Sequence, residues 1–290
     1  MALPLTAAER IDSHLTPDES GRLLIEDVRA DELAERFGTP LHVVSETRLR
    51  ENYRRIRDAF ASRWAVGVDV YFANKSNPAL AVRRVLAQEG AGGDCNGLHE
   101  LQAALIGGTP PQRLVLNGNN KEDEAIRVAV SIGAHINIDD LDEIDRVSDA
   151  ARVLATSARV GLRVKPDLEA FGDRRSDIMD VTVKRYREIT KWGLEPDAAE
   201  TAVRRIRELP ELRLTTLHYH LGRHFAEPAM FALVAPGLGA LLGNLRDRTG
   251  WTPSFVAAGG GFTQGRDPFF RKPEAGRPWP AASDSFVEPI

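Results

Sequence analysis

The spacing at which hydrophobic residues recur changes repeatedly along the chain. From about residue 40, short apolar runs alternate with amphipathic stretches such as NPALAVRRVLAQEG and LDEIDRVSDAARVL, in which apolar residues recur at helical spacing. This alternation is typical of strand–helix units around a parallel sheet. The predicted strands are LHVVS (41–45), DVYFANK (69–75), AGGDC (91–95), RLVLNG (113–118), HINID (135–139), RVGLRVK (159–165), LRLTTLHYHLG (212–222) and SFVAAGGG (254–261).

The strand and helix pattern predicts a β/α barrel at residues 38–290, preceded by a polar lead-in at residues 1–37. Barrels of this type carry their chemistry at the carboxyl ends of the strands, so functional side chains are expected there. This criterion selects Lys75, Asp94, Asn117, Asp139, Arg163, His220 and the glycine run Gly259, Gly260 and Gly261.

The composition narrows the class of partner. With 42% hydrophobic residues, 28% charged residues and a net charge of −4, the chain offers no electrostatic reason to bind nucleic acid or an anionic membrane. The single cysteine cannot form an internal disulfide, and neither a secretory leader nor a membrane-spanning run is apparent. We therefore expect a cytoplasmic protein that binds neither nucleic acid nor a membrane.

Lys75 ends the apolar run of YFANKSNP, directly before a polar turn. At a barrel mouth it would be partly desolvated, which would lower the pKa of its amine and allow it to form a Schiff base. The alternative is a solvated lysine at a strand end, with only its aliphatic stem buried.

The run AAGGGF follows an apolar strand near the end of the predicted barrel. Three residues without Cβ leave backbone N–H groups able to surround a phosphate, and the last loops of such barrels often bind phosphate. A tight turn or close strand packing would explain the same glycines.

The segment HYHLGRH places His218 and His220 on one face of a strand, with His224 beyond them. Three interpretations remain open at this stage: two ligands of a metal site, a structural pair of imidazoles, or a ring stacked on a planar aromatic cofactor. No other residues complete a familiar zinc spacing, so no metal is expected.

Together these motifs resemble the fold-type III pyridoxal-phosphate decarboxylases, the family of diaminopimelate, ornithine and arginine decarboxylases. The resemblance runs from about residue 36 to residue 262, and it is nearest to the diaminopimelate branch. The segments that carry it are RFGTPLHVVSETRLRENYRRIRDAF, YFANKSNP, GDCNGLHEL, LVLNGNNKED, HINIDDLDEIDRV, VGLRVKPD, HYHLGRH and AAGGGF.

The resemblance implies a pyridoxal-phosphate-binding TIM-type barrel, similar to that of alanine racemase, with LHVVS outside the barrel and seven of eight strands present. It implies pyridoxal 5'-phosphate as cofactor and a homodimer as the full-length assembly. Lys75 would hold the cofactor as a Schiff base, His220 would stack on its ring, and Gly259, Gly260 and Gly261 would bind its phosphate. Asp94 and Arg163 align with family residues near the cofactor.

The implied reaction is decarboxylation of an amino acid, either diaminopimelate-like or another basic amino acid. A non-catalytic cofactor-binding or regulatory homologue and an amino-acid racemase are the alternatives. The chain departs from the family at Gly97 and Arg223, where the family has serine, and at Trp192, where the branch usually has phenylalanine. The family's Glu-Pro-Gly-Arg segment and C-terminal β domain have no counterpart, so we expect a truncated chain. Cys95 is predicted to be an ordinary buried thiol.

Overall fold

The computed structural model describes residues 14–175, 181–222 and 229–261, without the side chains of residues 229 and 230. The N-terminal elements are β1 (Leu15–Pro17), β2 (Leu23–Ile25), β3 (Val28–Arg29), α1 (Ala30–Phe37) and α2 (Glu46–Ala61). The remaining strands are β4 (Tyr71–Ala73), β5 (Gly92–Cys95), β6 (Leu114–Leu116), β7 (His135–Ile138), β8 (Ala158–Val164), β9 (Leu212–Tyr219) and β10 (Phe255–Ala258). The remaining helices are α3 (Leu80–Gln88), α4 (Leu98–Ile106), α5 (Asp123–Ser131), α6 (Asp142–Val153), α7 (Val183–Ile189), α8 (Pro196–Arg207), α9 (Ala229–Ala232) and α10 (Ala235–Thr249).

Strands β4 to β10 form one parallel sheet in which each strand pairs with its neighbours in sequence. The sheet is curled, because the side chains of Asn117, after β6, and His218, on β9, meet although two strands lie between them. This is the strand arrangement of a TIM-type barrel, and it confirms the predicted seven barrel strands.

The outer face of the sheet is covered by helices, and the strand residues on that face are apolar. Leu116, Ile136 and Leu162 are fully buried there. Helix α5 contributes the matching stripe Ala125, Ile126, Ala129 and Val130, all buried. The packing of this apolar layer fixes the strands, and so the side chains at their carboxyl ends.

The prediction of a strand at LHVVS is wrong. Residues 41–45 carry no strand, and Val43 and Val44 are exposed. The segment instead leads into α2, where the Ser45 hydroxyl caps the helix by accepting a hydrogen bond from the Arg48 N–H at 2.9 Å. The β-branched residues mimic a strand in the sequence, but in the structure they belong to no strand.

The N-terminal region contains a small antiparallel sheet of β1, β2 and β3. Its strands are two or three residues long, too short to give an alternating pattern, and the sequence did not predict them. The division of the chain between residues 37 and 38 remains a prediction. In the described part of the chain, no helix is both long and apolar enough to cross a membrane.

Candidate functional site

Polar side chains gather at the carboxyl ends of the barrel strands. Asp94 lies on β5, Asn117 and Asp139 directly follow β6 and β7, Arg163 lies on β8, and His218 and His220 lie on β9 and just beyond it. Because the strands are parallel, their carboxyl ends share one edge of the sheet. The structure therefore brings together the residues that the sequence selected at this edge.

His218 lies on the inner face of the barrel and contacts two neighbours. Its Nδ1 is 3.1 Å from the Ala257 carbonyl oxygen, and its Nε2 is 3.4 Å from Asn117 Nδ2. A carbonyl oxygen only accepts hydrogen bonds, so Nδ1 carries the proton and Nε2 accepts from the Asn117 amide. Burial lowers the pKa of His218 to about 3, with Arg163 and His220 acting in the same direction. His218 is therefore a neutral structural partner with both ring nitrogens engaged.

Asp94 lies on the same polar surface as Asn117, and the Asn117 amide is among the groups that act on the pKa of its carboxyl. Burial raises the pKa of Asp94, while the charges of Lys75 and Arg163 lower it. Its Oδ1 is buried and has no hydrogen-bond partner among the described residues. A buried carboxylate oxygen without a donor costs free energy, so this atom marks a place where a donor from a bound molecule is favoured.

Lys75 lies in a 3-10 turn, Asn74–Ser76, that begins directly after β4. Its side chain is exposed, so the prediction of a partly desolvated lysine is wrong: the turn carries the residue past the buried end of the strand. The turn is anchored by Asn74, whose buried amide nitrogen lies 3.2 Å from the Asp94 carbonyl oxygen and 3.2 Å from Cys95 Sγ. The Lys75 amine is thus presented at the barrel mouth by a turn that Asn74 anchors.

Cys95 lies beneath the anchor of this turn. It is fully buried, and burial raises the pKa of its thiol to about 12. A thiol that stays protonated is a poor nucleophile. The prediction of an ordinary buried thiol therefore agrees with the surroundings of Cys95.

His220 and Gly259 lie in direct contact. A Cβ added to Gly259 would lie 2.8 Å from the Cβ and Cγ of His220, and closer still to its Nδ1. Position 259 therefore requires a glycine because the imidazole occupies the space of a side chain. The Gly259 N–H belongs to the sheet, since it donates to the Tyr219 carbonyl oxygen at 2.7 Å. This corrects the predicted three-amide phosphate cradle, because only Gly260 and Gly261 can still offer their amides to an anion.

Replacing Gly259 by alanine should destabilise the protein by about 1–3 kcal/mol, because the new methyl group overpacks the His220 ring. The matched control is Gly260→Ala, where an added Cβ meets no atom within 4 Å and the expected change is within about 0.5 kcal/mol. Urea denaturation of both variants and the wild type measures the difference. Equal stabilities of the two variants would contradict the contact between Gly259 and His220.

Arg163 is buried and has contacts on two sides. Its Nη1 lies 3.3 Å from Asp139 Oδ1, and its guanidinium carbon lies 5.7 Å from the centroid of the Trp192 ring. The second carboxylate oxygen of Asp139 accepts from the Gly193 N–H at 3.1 Å. One carboxylate thus joins the arginine strand to the turn that carries the tryptophan.

Behind Asp139 lies a buried ion pair that the sequence did not predict. Lys121 Nζ is 2.7 Å from Glu143 Oε2 and 2.6 Å from the Gly118 carbonyl oxygen. The same Glu143 oxygen accepts from the Asp139 N–H at 2.8 Å. The pairing joins residues 22 positions apart in different strand–helix units, so no spacing within one segment indicates it.

A cavity opens beside Arg163 and His220. The other side chains that line it include Leu168, Tyr186, Trp192 and Leu221. Its walls also include Lys165 and Arg187, so they combine aromatic and aliphatic side chains with three basic ones and with His220. Such a combination suits a small organic anion. Across the described ranges, no group of three or more His, Cys, Asp or Glu residues is arranged to hold a metal ion. Arg223 and His224 lie outside the described residues.

Comparisons with known proteins agree on one family. Residues 46–270 match the model of the pyridoxal-dependent decarboxylases, pyridoxal binding domain. A diaminopimelate decarboxylase of Methanothermobacter thermautotrophicus is 33% identical over 244 residues, which are 84% of this chain and 54% of that protein. The diaminopimelate decarboxylase of Mycobacterium tuberculosis H37Rv is 34% identical over 239 residues, 81% of this chain and 50% of that protein.

Solved structures agree with the sequence comparison. The diaminopimelate decarboxylase of M. jannaschii superposes with a TM-score of 0.85 at 25% identity, covering 96% of this chain and 62% of that one. A second structure of that enzyme, in complex with L-lysine, superposes with a TM-score of 0.83. The chain spans about half the length of the curated relatives that it matches.

Proposed function

Because the chain belongs to the family of pyridoxal-dependent decarboxylases, we propose that it provides the cofactor-binding barrel of an enzyme that decarboxylates an amino acid. The single observation that carries this proposal is the placement of a lysine amine, a histidine ring backed by glycine and a buried carboxylate at one barrel mouth. A lysine amine that can form a Schiff base is the group through which proteins hold pyridoxal phosphate.

The residues at the mouth fit pyridoxal phosphate. Asp94 has a buried carboxylate oxygen without a donor, His220 presents a ring seated against Gly259, and Lys75 presents an exposed primary amine. The amides of Gly260 and Gly261 follow β10 at the end of the sheet, where barrels of this kind bind phosphate. The donors, acceptor and amine are therefore suited to the aldehyde, ring and phosphate of this cofactor.

When bound, pyridoxal phosphate supplies a conjugated electron-poor ring that takes up the electron pair left at the substrate's α-carbon as CO₂ departs. Lys75 would hold it covalently through Nζ. His220 would orient the ring by stacking, and Gly260 and Gly261 would bind the phosphate through their amides. The Lys75 amine would also be placed to carry a proton to or from the reacting carbon.

Asp94 and Arg163 contribute opposite charges to the same surface. Asp94 lies near the Asn117 amide, and Arg163 is held by Asp139. Asp94 would accept a hydrogen bond from a donor group of the bound molecules, and Arg163 would donate to one of their oxyanions. The aromatic and aliphatic walls of the cavity would limit the access of water to the reacting carbon.

Diaminopimelate, or an amino acid similar to it, is the substrate that we favour. Support comes from the relatives of 33% and 34% identity, which are diaminopimelate decarboxylases, and from the M. jannaschii enzyme that binds L-lysine. We propose further that the full-length protein is a homodimer.

The single cysteine, Cys95, is buried and reduced, as suits a cytoplasmic enzyme.

The test is release of CO₂ by the full-length protein with added pyridoxal phosphate, offered diaminopimelate, lysine, ornithine and arginine in parallel. We expect release from diaminopimelate above the other three. Release of CO₂ from another amino acid would support decarboxylase activity and assign a different substrate. A change in the optical rotation of an amino acid without CO₂ would indicate a racemase, and cofactor binding with no reaction would indicate a regulatory homologue.

A further inference from the structure

We propose that Asp139 and Trp192 are positioning residues that hold the Arg163 guanidinium in one orientation toward an oxyanion of the cofactor or the substrate. This inference rests on the proposed function, because it assigns the arginine a ligand in that site. It concerns two residues that have no role in the proposed chemistry of the reacting carbon.

The first observation is the position of Asp139 between two elements. One of its oxygens lies 3.3 Å from Arg163 Nη1, and the other accepts the Gly193 N–H at 3.1 Å. Its side chain is only 2% exposed, so both contacts are shielded from water. A guanidinium has five N–H donors, more than the contact with Asp139 uses, and Arg163 lines the cavity as well. The carboxylate therefore fixes the arginine while leaving donors for a bound anion.

The second observation is the Trp192 ring. The Arg163 guanidinium carbon lies 5.7 Å from its centroid, which is within the range of cation–π attraction. Trp192 also lines the cavity beside His220. The guanidinium thus contacts a carboxylate and an aromatic ring, and its rotation toward solvent would break both contacts.

The third observation explains why the ring is an indole. Trp192 Nε1 donates a hydrogen bond to Asn119 Oδ1 at 3.1 Å. Asn119 belongs to the loop after β6, so this bond ties that loop to the turn before α8. A phenylalanine could cover the guanidinium but could not make this bond. The tryptophan therefore performs two tasks that a single substitution can separate.

The experiment is a pair of double-mutant cycles in the full-length protein: Arg163→Met with Trp192→Leu, and Arg163→Met with Asp139→Asn. Each variant is titrated with pyridoxal phosphate by visible absorption. KM and kcat are measured with the amino acid from which the wild type releases CO₂. We expect Trp192→Leu to raise the Kd of the cofactor or the KM by about 10-fold in wild type. In the Arg163→Met background, the same change should have less than about a 2-fold effect.

A matched comparison isolates the hydrogen bond. Trp192→Phe keeps the ring and loses Nε1–H, while Asn119→Ala loses the acceptor and keeps the ring. Each should weaken binding by about 3-fold, and the double variant should be no weaker than either single variant. Independent losses in the double variant would show that the bond does not hold the ring.

The outcomes separate the two possible ligands and the two proposals. A raised Kd for pyridoxal phosphate assigns the oxyanion to the cofactor, and a raised KM alone assigns it to the substrate carboxylate. Additive effects with Arg163→Met in both cycles would overturn the positioning role. If wild type binds no cofactor, the proposed function fails. Urea unfolding of the Arg163 and Trp192 variants then decides the inference, which requires their losses of stability to be non-additive.

Discussion

Replacing Lys75 by alanine should abolish covalent capture of pyridoxal phosphate. Wild type, mixed with the cofactor and reduced with borohydride, should retain a stable pyridoxyl group, and the variant should retain none. Without the amine, CO₂ release should fall by about 10³-fold, because proton transfer by Lys75 is lost together with the attachment. Absorption spectra before and after reduction, followed by mass spectrometry of the protein, measure the result.

Lys191 provides a control for this experiment. It is an exposed lysine beside Trp192, in the turn before α8, and its replacement by alanine should leave covalent capture unchanged. Capture that survives in Lys75→Ala and disappears in Lys191→Ala would transfer the role to the other lysine. Capture in neither wild type nor control would remove the basis of the proposed function.

Replacing Glu143 by glutamine should cost about 3–5 kcal/mol of stability at pH 7, the second large effect that the structure predicts. The reason is that the Lys121 ammonium, with a side chain only 1% exposed, loses its carboxylate partner. The side-chain carbonyl of the introduced glutamine can still accept the Asp139 N–H, so the loss reports mainly on the charge. Urea denaturation with the wild type as reference measures the change.

The loss of stability in Glu143→Gln should depend on pH. Burial already lowers the pKa of Lys121, and Glu143 opposes that effect. In the variant the folded-state pKa should fall further below the unfolded value, so between the two values the unfolded chain binds more protons. Stability therefore rises with pH across that window. We expect the deficit of Glu143→Gln to shrink between about pH 7 and pH 10.

The double variant Lys121→Met with Glu143→Gln serves as the control. It removes both charges and keeps an acceptor for the Asp139 N–H, so it should be more stable than Glu143→Gln alone. A single variant as stable as wild type would contradict the buried ion pair between Lys121 and Glu143.

Much of the fold could be predicted from the local pattern of apolar and polar residues. Most of the barrel strands could be predicted because a short run that favours a strand is followed by an amphipathic helix, and the signal lies within one unit. LHVVS failed because β-branched residues favour a strand whether or not a sheet edge is present. The N-terminal sheet could not be predicted because its strands are two or three residues long.

The candidate site could be predicted by position, and its internal contacts could not. The rule that barrel strands present their carboxyl ends at one edge selected Asp94, Asn117, Asp139 and Arg163. The exposure of Lys75 depends on a 3-10 turn, and the pairing of Lys121 with Glu143 depends on how neighbouring units pack. No spacing within one segment encodes a contact between two units.

The order of the strands also sets when the site can exist. Every strand of the parallel sheet pairs with a neighbour in sequence, so a growing chain can extend the sheet one unit at a time. The contacts at the mouth are different, since Asn117 and His218 are 101 residues apart and His220 meets Gly259 only across the last pair of strands. The sheet can thus form by pairing strands that are neighbours in sequence. The side-chain contacts at its carboxyl edge form only after β9 and β10 have been added.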